Sequence, residues 1–176
     1  GIPRPAVAAV WGRGLYGGAM AASGRMAEKR VARQFEESGF GKPQQVLASP
    51  VFADPFKRRV VVQTQSHYGF GEYNWLSAPH ALLDRQLVES HMDEPAVSLA
   101  AKRSSGAADF LYWSRFPFAT IRESDENTVV TLGDARFGDR PDSGMFSVTT
   151  TLPAELAKHG GKADVVDPCN APCEER

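Results

Sequence analysis

The chain has 176 residues, the size of one ordinary domain, and at that length folding buries roughly 70% of the surface the unfolded chain exposes. Its composition, 42% hydrophobic and 23% charged, excludes the disordered and fibrous classes. Twenty basic residues against 21 acidic ones leave a net charge of −1, which gives no large field for drawing in nucleic acid or anionic lipid, so no nucleic-acid partner is expected. No window holds the roughly 18 uninterrupted apolar residues of a membrane helix, because Arg4, Arg13 and Arg25 punctuate the most apolar stretch; the chain is expected to be soluble. It carries no basic-then-apolar secretion signal, and its start at Gly1-Ile2-Pro3 reads as a cut inside a longer protein.

From about Ala6 to Glu37 the sequence is rich in alanine and methionine, free of proline, and bounded by Pro5 and Ser38-Gly39, which predicts one long helix. Trp11, Leu15, Gly18, Ala22 and Met26 follow one stripe, continued with a small drift by Ala27, Val31 and Phe35, and the stripe is expected to pack on a sheet. Gly14, Gly18 and Ala22 form a small-residue ridge that lets another backbone approach, although glycine inside a helix costs roughly 1 kcal/mol against alanine. Close packing on the domain's own sheet is the plainer explanation; a neighbouring membrane helix or a second copy, as a homodimer, is the sharper one.

Gln45 to Phe52 and Arg58 to Tyr68 carry the pattern of two strands, with Asp54-Pro55 as the turn of a hairpin. Tyr68-Gly69-Phe70-Gly71-Glu72-Tyr73 reads as a bend or bulge followed by more strand toward Trp75. Helical spacing returns in three short segments, Ala81 to Glu89, Glu94 to Arg103 and Ala107 to Ser114, with Asp93-Glu94-Pro95 as a helix start. Strands are expected at Phe118 to Glu123, Thr128 to Ala135 and Met145 to Leu152, separated by polar turns at Ser124 to Asn127 and Gly138 to Ser143. This order lacks a βαβ rhythm and predicts an α+β domain over residues 1–156, with the long helix and short helices on a largely antiparallel sheet. Residues 157–176 read as a flexible polar tail. In that tail stand Cys169 and Cys173; a zinc site needs about four ligands, so unpaired thiols and a local disulfide are the open readings.

The histidines, His67, His80, His91 and His159, form no His-x-x-x-His or His-Glu-x-x-His spacing, so no metal ligand set is assigned in this segment. The cluster His91-Met92-Asp93-Glu94 reads as a helix start or surface rather than an acid–base pair. No nucleophile elbow, phosphate loop or dinucleotide-binding glycine pattern occurs, and no catalytic residue is assigned. Two segments embed an arginine among aromatics: Tyr112-Trp113-Ser114-Arg115-Phe116-Pro117 and Gly133-Asp134-Ala135-Arg136-Phe137-Gly138-Asp139. An arginine in apolar surroundings is costly unless paired, so Arg115 or Arg136 with Asp134 is expected to form a semi-buried ion pair, with an anion or substrate contact as the alternative. The aromatics Tyr68, Phe70, Tyr73, Trp75 and Trp113 are the candidate lining of a small-molecule pocket, plain core being the alternative.

In Ser49-Pro50-Val51-Phe52-Ala53-Asp54-Pro55-Phe56, Ser114-Arg115-Phe116-Pro117 and Asp134-Ala135-Arg136-Phe137-Gly138 the chain resembles the membrane-bound metal-dependent hydrolases of the YdjM type. The three short matches stand in order within roughly residues 5–152. The resemblance implies that this is the soluble C-terminal portion of a bacterial inner-membrane protein, facing an undetermined side, whose partner is the membrane-embedded N-terminal part of the same protein. It implies that the divalent metal and its histidine and acidic ligands lie in that part, so the hydrolase activity attaches to no residue here and the role implied is accessory or regulatory. A freestanding small-molecule binding module and a protein-interaction domain are the alternatives.

Overall fold

The computed structural model describes residues 4–142 and 146–155, residues 4–7 as backbone only. The predicted tail, with His159, Cys169 and Cys173, lies outside the described residues, as does Met145 at the expected start of the last strand. The fold is α+β, as the pattern predicts. Helix α1 spans Arg4–Glu37 and is followed by strands β1 (Gln45–Val51), β2 (Asp54–Gln63), β3 (His67–Asn74), β4 (Ala81–Leu83) and β5 (Val88–Glu89). Helices α2 (Pro95–Arg103) and α3 (Ser105–Trp113) come next, and then strands β6 (Pro117–Glu123), β7 (Asn127–Asp134) and β8 (Ser147–Pro153).

The strands form two antiparallel sheets rather than one: β1-β2-β3-β4 with β5 also on β3, and β6-β7-β8. Side chains alternate across a strand, and that alternation sorts the first sheet's residues into two layers. Ala48, Val60, Val62 and Tyr73 face α1 and pack on Ala27, Val31 and Phe35. Val61, Tyr68 and Phe70 face the other way and meet Phe116, Phe118 and Ala135, which joins the two sheets. The second sheet's far face, Ala119, Val130, Leu132 and Leu152, is covered by Ala96, Val97 and Ala100 of α2 and Ala107 and Phe110 of α3.

Four local readings are corrected. The stretch Arg58 to Tyr68 is two strands, because Thr64-Gln65-Ser66 turns the chain: Thr64 N–H and its Oγ1 both donate to the His67 carbonyl, at 2.9 and 3.0 Å. The β1–β2 turn is Phe52-Ala53, with Ala53 at φ 61°, and Asp54-Pro55 already belongs to β2. Ala81 to Glu89 is not a helix but the short strands β4 and β5 on β3. No bulge interrupts β3; Gly71 is needed because an added Cβ would stand 2.3 Å from the Leu82 carbonyl of β4.

The first half of α1 does not pack on the sheet. Residues 8–19 are all exposed, Trp11 at 76% and Leu15 at 78%, and burial begins only near Gly24 and Ala27. The ridge glycines Gly14 and Gly18 have no atom within 4 Å of an added Cβ, so they meet no close partner among the described residues. No described helix is long and apolar enough to cross a membrane.

Candidate functional site

Two constructions stand out, a polar knot where α3 meets β7 and an apolar groove along α1. In the knot, Asp134 ends β7 with its side chain wholly buried. It receives Arg136 Nε at 2.9 Å on one oxygen and Arg136 Nη2 at 2.7 Å on the other, the two-pronged geometry that suits a guanidinium and a carboxylate. Arg136 N donates at 2.9 Å, Ser114 Oγ at 2.7 Å and Arg115 N at 3.1 Å to the same carboxylate. Ser114 is the C-terminal cap of α3, so Asp134 fixes that helix end to the strand. The side chain of Arg115 is exposed; only its backbone joins the knot. Arg136 stacks over Trp113 and Phe137, at 5.8 and 5.0 Å from the ring centroids.

The electrostatics follow from these contacts. Burial pushes the Asp134 carboxyl up, but the hydrogen bonds from Arg136, Ser114 and Arg115 outweigh it and hold the group below its ordinary range. Tyr68, whose hydroxyl donates to the Pro117 carbonyl at 3.0 Å, is pushed above the usual tyrosine range by burial and by the charge of Asp134. A carboxylate saturated by five donors and shielded from solvent is suited to holding elements together rather than to proton transfer.

The five pocket aromatics do not converge. Tyr68 and Phe70 lie between the sheets, Tyr73 and Trp75 on the α1 side, and Trp113 at the end of α3 beside Phe110, at 5.0 Å between ring centroids. Consecutive odd and even positions of one strand point to opposite faces, so Tyr68 and Phe70 cannot line a cavity with Tyr73 and Trp75. Among the described residues no group of three or more His, Cys, Asp or Glu side chains could hold a metal ion.

The groove was not foreseen. It is a cleft of about 410 Å³ in which Tyr16, Met20 and Met26 of α1 face Phe56, Trp75 and Leu76. Only Trp75 of the predicted lining belongs to it. A second cleft of about 610 Å³ lies on the other side of the first sheet, where Arg59, Glu72, Asp84 and Asp139 stand among Val51, Phe70 and Leu82.

No protein-family model matches the chain, no curated protein matches it, and no solved structure matches it.

Proposed function

We propose that this chain is the extramembrane accessory domain of an inner-membrane metal-dependent hydrolase, joined through α1 to the membrane-embedded part of the same protein. The observation that carries the reading is the uncovered first half of α1. Residues 5–24 contain a single charge, Arg13, and Val10, Trp11, Leu15 and Tyr16 are exposed at 63–78%. An apolar helix face of that extent marks an interaction surface. At roughly 1.5 Å per residue, residues 4–22 extend about 28 Å before the packed part of the helix begins. Trp11 and Tyr16 flank Arg13, a mixture suited to the boundary between apolar and polar surroundings.

The role is accessory because the segment's most elaborate polar construction, the Asp134 knot, is structural. The three resemblance motifs have structural uses here: Asp54 Oδ1 accepts from Phe56 N and Lys57 N, Ser114 donates to Asp134, and Asp134 holds Arg136. A photo-crosslinking residue at Leu15 of the full-length protein in its native membrane tests the reading, with Tyr112, 93% exposed on α3, as the control position. Adducts from position 15 to the protein's own membrane helices or to lipid are expected, and none from position 112. Adducts to a second copy would favour the homodimer, and absence of adducts at position 15 would remove the tether.

A further inference from the structure

The geometry points to the α1 groove as a binding site for an anionic amphiphile, an acyl chain bearing a carboxylate or phosphate head. The site shares Tyr16 with the face assigned to the tether but rests on observations of its own. Its wall is apolar, and its size falls within the range of small-molecule sites, about 300–1,000 Å³. What distinguishes it from a plain greasy cleft is the donor set around it.

Arg58, Tyr73 and Trp75 share the α1-facing side of neighbouring strands: Arg58 pairs directly with Tyr73, and Trp75 N bonds the Phe56 carbonyl at 3.0 Å. Trp75 is therefore the diagonal neighbour of Arg58 on that face, within the reach of long side chains. Arg58 is 2% exposed, and its Nη2 bonds Ser23 Oγ at 2.6 Å and the Met20 carbonyl at 3.3 Å; both residues line the groove. Arg30, one helical turn beyond Met26, stacks on Trp75 at 5.1 Å and bonds the Tyr73 hydroxyl at 3.0 Å.

No carboxylate forms a salt bridge with either guanidinium among the described residues, and none lines the groove. Two buried donors behind the groove wall, Arg58 Nε and Trp75 Nε1, have no acceptor among the described residues. A buried cation without a counter-charge, one of its own donors unpaired, and an unpaired indole N–H on the neighbouring strand are costly features to retain behind an apolar slot. An acidic head at the end of the groove where the exposed Arg30 stacks on Trp75 supplies the missing negative charge, while the chain lies between Tyr16, Met20 and Leu76. The balanced net charge is no obstacle, since the attraction is local.

The test is calorimetric titration of the chain with laurate below its micellar concentration, beside neutral dodecyl maltoside and monomeric dihexanoyl phosphatidylglycerol. One laurate or one phosphatidylglycerol per chain is expected, the preferred head telling a free acyl anion from a phospholipid, with the neutral amphiphile at least about tenfold weaker. Ala19→Trp, a change at an exposed groove position, is expected to reduce binding at least tenfold without loss of fold, and Trp75→Phe to weaken it severalfold. Arg58→Met gives the same loss where it folds. Equal binding of the neutral amphiphile, undiminished binding by Ala19→Trp, or no binding of either anion overturns the proposal.

Discussion

Asp134 and Arg136, two residues apart, close a bidentate ion pair at the exit of β7, with contacts of 2.7 and 2.9 Å, and the carboxylate simultaneously caps the junction to α3. The acid is sealed from solvent while the guanidinium keeps 22% of its side chain exposed, so removing either partner leaves an asymmetric penalty.

Arg136→Ala strands a buried carboxylate with only neutral donors. The expected cost is about 2–4 kcal/mol, below the full loss for a sealed pair because the arginine reaches solvent. Urea denaturation at pH 7 measures it, and an unchanged midpoint would show that the knot does not hold the fold together. Arg115→Ala, which keeps the backbone donor, is expected to change stability by less than about 0.5 kcal/mol.

The pH dependence has a definite sign. The folded Asp134 carboxyl lies below its unfolded value near 3.9, so the unfolded chain binds the proton more readily. Its contribution is complete above about pH 4 and is lost as pH falls further, through the folded value. The stability difference between the wild-type chain and Asp134→Asn therefore shrinks in acid; a constant difference between pH 7 and pH 3 contradicts the assignment.

Tyr68 behaves in the opposite sense. Its folded value is raised above the unfolded one near 10, so its contribution is present below pH 10 and lost as pH rises beyond it. Tyr68→Phe removes the bond to Pro117 and costs about 1–2 kcal/mol at pH 7. That cost falls away in alkali, as equilibrium unfolding at pH 7 and pH 11 will reveal.

Two glycines give contrasting outcomes. Gly71→Ala drives a methyl into the β4 backbone and is expected to cost about 1–3 kcal/mol. Gly14→Ala meets open space on a helix and leaves stability unchanged or raises it by up to about 1 kcal/mol. Thermal unfolding of both variants distinguishes a packed strand glycine from one kept for an outside partner.

The sequence made α1, α2, α3 and the last three strands legible because each carries its own period and punctuation, such as Pro95 at the first helical position after Glu94. It hid β4 and β5, since Ala81-Leu82-Leu83 is apolar at spacings a helix also shows and owes its strand form to the room left by Gly71. The Thr64-Gln65-Ser66 turn contains neither glycine nor proline and is closed by the backbone N–H and the hydroxyl of Thr64 together. The Asp134 pairing was readable from two aspartates bracketing an arginine, although its choice of Arg136 over Arg115 depends on where α3 ends. The groove was not readable. Lys57-Arg58-Arg59 looks like a solvated basic run, and only the two-residue alternation of β2 places Arg58 inside. Helical periodicity likewise marks a stripe on α1 without telling that its first half stays exposed.

The most direct test of the central claim is fractionation of cells producing the full-length protein, with a carbonate wash and detection by an antibody against this domain. The proposed tether predicts the protein in the washed membrane pellet, with the domain released when the chain is cut within α1. Recovery of the uncut full-length protein in the soluble fraction would contradict it.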